Sequence, residues 1–195
     1  ATLSAYTRHF DFYLALDGGW TGMFRDGKQR RGLFSQNSYG KSDILNFFEY
    51  GVKGGATCKI NGRNFVQANG AYLSHAPYFS SLFISPRTRN SYVENPQNEK
   101  IASGDISYIV RHPFIKGRIT FYYTQFMDGT RNMSFYDDGY RAFSNYVLTN
   151  IDRRHMGVEL GAEVKITPSL TATGVFSYGS YIYTNNPDYL QTVDN

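Results

Sequence analysis

Residues 155–183 read HMGVELGAEVKITPSLTATGVFSYGSYIY. Met156, Val158, Leu160, Ala162, Val164 and Ile166 fall on one parity; His155, Gly157, Glu159, Gly161, Glu163 and Lys165 fall on the other. Successive side chains of a strand point to opposite faces, so this order makes one face apolar and the other charged or bare. Helical spacing would mix the two sets around a cylinder. Thr167-Pro168 interrupts the run, and alternation resumes with Leu170, Ala172, Gly174, Phe176 and Tyr178. The stretch predicts a tight hairpin of two long strands.

Strand length separates two kinds of hairpin. Strands of soluble proteins run about 5–6 residues, whereas a strand crossing an outer membrane needs roughly 9–11. Both arms reach the longer figure. A charged face of Glu159, Glu163 and Lys165 behind an unbroken apolar face fits a wall with lipid outside and water inside. A two-layer soluble sandwich gives the same alternation with shorter strands.

Hydrophobic residues make up 41% of the 195, and no apolar run approaches the ~20 residues of a membrane helix, which excludes a helical membrane protein. Aromatic residues reach 17%, with 17 Tyr and 15 Phe against one Trp. Outer-membrane barrels place aromatic girdles at both interfaces; carbohydrate-binding modules also collect aromatics, so both readings stay open. The net charge of +4 is scattered along the chain. Nucleic-acid binding needs a clustered basic stripe or a recognisable motif, and neither is present. The one local basic run, Arg25 to Arg31 (RDGKQRR), reads as a solvated loop, with contact to lipid phosphates or an anionic ligand as the alternative. A single cysteine, Cys58, excludes a disulfide framework and a cysteine-cluster metal site. Its parity matches Ala56 and Ile60, which makes it a small apolar wall residue. The chain opens ATLSAY without methionine or signal peptide and stops just beyond a strand, so it is expected to be a fragment of a longer, exported protein.

Along the chain, strands alternate with short and long connections. Phe10, Phe12, Leu14, Leu16, Gly18 and Trp20 share one face of a first strand between Arg8 and Arg25. Arg25 to Asp43 is a long polar loop. Tyr50, Val52, Gly54, Ala56, Cys58 and Ile60 oppose Glu49, Gly51, Lys53, Gly55, Thr57 and Lys59. Asn61-Gly62 is a hairpin signal, and Phe65 to Ser74 returns. His75 to Ala102 is a long connection, of a length that usually carries function. Ser103–Arg111 and Arg118–Phe126 are strands turned at His112 to Gly117, and a second long excursion covers Met127 to Asp152. The three short turns share one rim and the long loops the other, which is the outer-membrane pattern of short periplasmic turns and long extracellular loops.

The stretch HAPYFSSLFISPRTRNSYVENPQNEKIASGDISY (His75 to Tyr108) resembles the segment of TonB-dependent outer-membrane receptors in which "sR.P.f..ly" leads into "NP.l.pE....yE.G". Ala76, Pro77, Tyr78, Phe79 and Leu82 match the first part, and Asn95, Pro96 and Glu99 the second. Asn98 stands where the family often has proline and Asp105 where it often has glutamate. Gly157, Glu159, Ile166, Pro168, Leu170, Thr171, Phe176, Ser177 and Tyr178 resemble a late hairpin of the same barrel. The texture is closest to the Bacteroidetes type with a carboxypeptidase-regulatory-like domain ahead of the plug.

The resemblance implies an all-β, antiparallel up-and-down transmembrane β-barrel segment. Residues 1–195 would supply about seven strands of a 22-stranded barrel, with the plug domain, the TonB box and the final strands outside this chain. It further implies a receptor in the bacterial outer membrane that imports an iron chelate, cobalamin or a glycan, is driven through the TonB complex, and needs no cofactor. A porin or adhesion barrel and a soluble carbohydrate-binding module are the alternatives.

Chemical motifs are sparse. His155 and Glu159 share a face, but two ligands without a third make no zinc site. Asp137-Asp138-Gly139 reads as a turn and lacks calcium-loop spacing. Gly51 to Gly55 (GVKGG) is no phosphate loop, since no Gly-Lys-Ser/Thr follows; its glycines relieve crowding in a curved wall. No nucleophile motif appears, and the chain reads as a non-enzyme. Ligand-contact candidates lie in the long loops: Arg87 and Arg89, flanking Thr88 on one extended face, with Arg131, Tyr136 and Tyr140. Tyr78 and Phe79 are expected to pack the loop base. Pro77, Asn95, Pro96 and Glu99 are motif residues with mainly structural roles.

Overall fold

The computed structural model of the protein describes residues 1–30 and 34–194, so Arg31 of the basic run and the terminal Asn195 lie outside the described residues. The strands are β1 (Thr2–Tyr6), β2 (Phe10–Met23), β3 (Asp26–Gly27), β4 (Gly40–Lys41), β5 (Leu45–Lys59), β6 (Asn64–His75), β7 (Glu99–Arg111), β8 (Ile115–Asp137), β9 (Ala142–Thr167), β10 (Leu170–Tyr183) and β11 (Asp188–Asp194). One short helix, α1 (Phe79–Leu82), sits between β6 and β7. The fold is all-β and antiparallel. A single sheet runs in the order β1-β2-β5-β6-β7-β8-β9-β10, and β3 pairs separately with β4.

β10 pairs with the Arg153–Thr167 part of β9, and β11 pairs with Phe143–Thr149 of the same strand. The two are therefore one strand line interrupted at residues 184–187, and the sheet has eight rows of strand where the sequence reading expects about seven. The additional row is β1, whose Leu3 and Ala5 extend the apolar face by pairing with Leu14 and Phe12. The sheet does not close: β1 and the β10/β11 line are its two edges.

Register turns alternation along each strand into two continuous faces. Phe12, Ala56, Ala68, Ile106, Phe121, Val158 and Tyr178 form one cross-strand row of the apolar face. The next row on the opposite face reads Tyr13, Gly55, Asn69, Asp105, Tyr122, Gly157 and Gly179. A one-residue slip in any strand would exchange its two faces, so this consistency pins the register.

Four tight turns share one rim: Thr7–His9, Ile60–Arg63, His112–Phe114 and Pro168-Ser169. The second is stapled by the Asn61 side chain, whose Oδ1 accepts from the Arg63 and Asn64 backbone N–H groups at 2.9 Å each. The long connections, 24–44 and 76–98, sit at the other rim. The excursion expected at Met127 to Asp152 is not a loop. β8 and β9 continue through it and turn only at residues 138–141. Its polarity hid the strands, and its pairing shifts at Phe126/Gly129 and Gly129/Arg131, which breaks the period-two pattern.

That shift belongs to a crease crossing three strand lines at one height. Asp128 (φ 59°) and Asn150 (φ 55°) take left-handed backbone on β8 and β9, level with the 184–187 interruption beyond β10. Side chains stitch the crease. Asp152 Oδ1 accepts from the Asp128 N–H (3.1 Å), Asn185 Oδ1 accepts from the Asp152 N–H (3.0 Å), and Asn185 Nδ2 donates to the Asn150 carbonyl (2.6 Å).

The buried apolar side chains all lie toward the long-connection rim. Connection 76–98 folds onto the polar-face side of the sheet there. Leu82 and Phe83 are fully buried against Phe47 and Ala76, while Ile84 and Val93 pack on Val147. Nearer the tight turns the apolar face is bare, with Phe121 53% exposed and Leu160 44% exposed. No helix among the described residues is long and apolar enough to cross a membrane, a statement that does not bear on strands.

Candidate functional site

Connection 76–98 is anchored at many points, which makes it a rigid canopy. The Ala76 N–H donates to Glu49 Oε1 (2.9 Å), and Asn98 Nδ2 donates to the Phe48 carbonyl (2.6 Å) and Ser74 Oγ (2.9 Å). Asn132 Nδ2 on β8 donates to the Phe83 carbonyl (2.9 Å) and the Ile84 carbonyl (2.7 Å). From the first long connection, the buried Arg25 donates from Nε to the Pro86 carbonyl (2.7 Å) and from Nη1 to the Ser38 carbonyl (2.9 Å) and to Asn90 Oδ1. These charge-assisted bonds lock the two long connections together. At the exposed tip near β3, the Lys28 ammonium hydrogen-bonded to Asp26 holds that carboxyl below its ordinary range.

Between the canopy and the β8–β9 extension lies a cleft of about 620 Å³. Its canopy wall comes from Ile84 to Thr88, and its strand wall includes Asn132, Ser134, Phe143 and Asn145. Asn132, Ser134 and Tyr136 share a face with Val147, Asn145 and Phe143, their register partners. Tyr136 meets Phe143 edge to face with centroids 5.6 Å apart. Arg87 stands exposed at the mouth.

The structure separates the two arginines that the sequence reading places on one extended face. Residues 86–88 form a turn, with the Thr88 and Arg89 N–H groups donating to the Ser85 carbonyl at 3.1 Å each. Arg87 points outward while Arg89 is buried. Its Nη2 donates to Thr192 Oγ1 on β11 (2.5 Å), and its guanidinium lies 4.3 Å from the centre of the Phe34 ring. Arg89 is thus a tether, not a surface ligand-contact residue. Tyr136 stands beside the cleft. Arg131 pairs with Leu148 on the opposite face of the extension, and Tyr140 is exposed in its end turn, so neither joins Arg87.

Phe79 touches the loop base through Phe83, 4.7 Å away between ring centroids, but stays 41% exposed. Tyr78 does not pack there: it is 73% exposed. Pro77 is buried next to Ala76, and Asn95 (φ 47°) starts the descent through Pro96 to β7. Glu99 receives Arg153 Nη2 (3.0 Å) and faces His75 Nε2 (3.5 Å), which ties together the two ends of the canopy.

The polar face nearer the tight turns carries a second groove, of about 720 Å³. Tyr13 Oη donates to Asn69 Oδ1 (3.2 Å), and Asn69 Nδ2 donates to both Asp105 carboxylate oxygens (3.0 and 3.1 Å). Arg118 Nη2 donates to Ser107 Oγ (3.1 Å), which is bonded to Thr120 Oγ1 (2.9 Å). Tyrosine side chains reach over glycines here. A Cβ on Gly55 would meet Tyr13 Cε1 at 2.5 Å, and one on Gly157 would meet Tyr122 Oη at 2.7 Å. Tyr122 and Tyr181 bond to each other at 2.8 Å over Gly179. The glycines therefore make room for rings. His155 and Glu159 share this face with Gly157 between them, and no group of three or more potential metal ligands occurs among the described residues.

The cleft residues Asn132, Phe143 and Asn145 carry no sequence signal, because their convergence depends on the canopy landing on them. No family model, curated protein or solved structure matches the chain.

Proposed function

We propose that the chain is part of the wall of a TonB-dependent outer-membrane receptor that imports a scarce nutrient. The observation that carries this reading is a pair of aromatic levels on the exposed apolar face. Trp20, Phe48, Tyr50 and Tyr72 run ring to ring with centroids 6.1–6.3 Å apart. The run steps diagonally across the register rows, as a level belt does on tilted strands. Along β2, Trp20 and Phe10 bracket Phe12, Leu14 and Leu16 and stand ten residues apart. At about 3.3 Å per residue and a tilt of ~40°, that interval is roughly 25 Å high, the height of the apolar band of a membrane barrel. Tight turns at one rim and a built canopy at the other support the same orientation, with the canopy outside the cell.

A plugless porin would share the wall. The motif residues around Pro77, Asn95, Pro96 and Glu99, all placed in the canopy or at its foot, favour the receptor. The unclosed sheet supports the view that further strands complete the barrel, since an exposed edge is an aggregation hazard. Cysteine labelling of whole cells tests the proposal. In the full-length protein, a cysteine at Asp138 in the β8–β9 turn should react with a membrane-impermeant maleimide, and one at Gly62 should not. Reaction at Gly62 alone would invert the topology, and purification of the full-length protein from the soluble fraction without detergent would end the membrane reading.

A further inference from the structure

We infer that the cleft between the canopy and the β8–β9 extension binds an acidic saccharide, with its ring on Phe143, a hydroxyl between Asn132 and Asn145, and its carboxylate on Arg87. Three observations carry this.

At the floor, Asn145 is 2% exposed, and its Nδ2 finds no partner among the described residues. Asn132 spends both Nδ2 hydrogens on the Phe83 and Ile84 carbonyls, which fixes its amide orientation and leaves Oδ1, also sheltered, without a partner. Asn132 pairs with Val147 and Asn145 with Ser134, so the two amides are diagonal neighbours on one face. Leaving sheltered polar atoms unpaired is costly. A hydroxyl both donates and accepts, and so completes both amides at once.

On the strand wall, Phe143 is 48% exposed while Tyr136 braces it edge-on. An exposed, braced ring in a cleft lined by hydroxyl and amide groups suits the apolar face of a sugar ring. Ser80, Ser134 and Thr88 supply further hydroxyls along the walls.

At the mouth, Arg87 makes no ion pair or hydrogen bond among the described residues, and no carboxylate lines the cleft. A lone guanidinium facing uncharged walls takes one carboxylate in a paired geometry. A multiply charged metal chelate would leave most of its charge uncompensated there.

The inference names the ligand class for the importer proposed above and rests on that reading for its route, although binding itself depends only on the cleft. Calorimetry on the full-length protein in detergent tests it, with trigalacturonate, maltotriose and ferric citrate as probes. Trigalacturonate should bind, and Arg87→Ala should weaken it about tenfold or more. Phe143→Ala should weaken it as well, whereas Arg131→Ala, on the opposite face, should leave it unchanged. Arg87 and Phe143 are both solvent-exposed, so neither change depends on rebuilding the core. Equal affinity for maltotriose, indifference to Arg87→Ala, or ferric citrate as the tighter ligand would each overturn the assignment. Intact trigalacturonate binding without uptake by cells would sink the import reading alone and leave the site standing.

Discussion

The two ends of the sheet hold themselves together by different means. Toward the tight turns no apolar side chain is buried among the described residues, and order comes from the backbone ladder plus a polar mesh built on Asn69, Asp105, Ser107 and Arg118. Toward the canopy, Leu82, Phe83 and Val147 form dry clusters of the kind that stabilise soluble domains. The contrast shows that one sheet can be solvated in two ways. The canopied end buries its own apolar surface; the other leaves that task to whatever covers its apolar face, which on the proposed reading is lipid.

The most damaging single change should be Phe83→Ala. A fully buried phenylalanine replaced by alanine costs about 3–5 kcal/mol, here concentrated in the canopy. Hydrogen exchange should speed up at the Val93 and Asn90 N–H groups, which donate to the Leu82 and Asn37 carbonyls, while the β5–β6 ladder keeps its protection. Loss of protection throughout the sheet would erase the distinction between the two ends.

Leu160→Arg should cost roughly 2–4 kcal/mol in unfolding from lipid vesicles, provided the residue lies near the midplane of the bilayer. Glu159→Arg, one residue away on the polar face, should cost far less. Equal costs at the two positions would break the assignment of faces.

A finer test lies within the canopy. Arg89→Ala removes a buried charge-assisted contact to Thr192 and should cost about 1.5–3 kcal/mol. Arg87→Ala should stay within about ±0.5 kcal/mol, as exposed substitutions usually do. Matching effects would mean that both arginines serve the same purpose, as their spacing in the sequence implies.

The alternation of residues 155–183 is sufficient to place the last hairpin, its two faces and its turn, because period two is a local property. The same logic reaches β2, β5 and β6. It stops at β1, too short a run beside Thr7 to stand out, and at the β8–β9 extension, where the irregularities at Asp128 and Asn150 shift the parity and Asp137-Asp138-Gly139 reads as loop. Arg89 is the clearest miss. Its partner Thr192 lies 103 residues away, and nothing local distinguishes a tether from a ligand-binding arginine. The tyrosine-over-glycine packing is hidden for a similar reason: Tyr122 and Gly157 become neighbours only once strands β8 and β9 are in register.

The crease gives the sheet a mechanical axis. Three strand lines have their ladder disturbed at the same height, and amide and carboxylate side chains share the stitching there with a few backbone bonds such as Thr184 N–H to the Asp152 carbonyl (3.0 Å). Bending stiffness is lowest where a plate is thinnest in cross-links, so a load on the tip of the β8–β9 hairpin is relieved as rotation about this line and not as curvature spread along the strands. Asp128, Asn150 and Asn185 mark that line. Because Arg89 and Asn132 fasten the canopy above that line while Ala76 and Asn98 fasten it to β5 and β6, the canopy acts as a strut that braces the sheet across its weakest section.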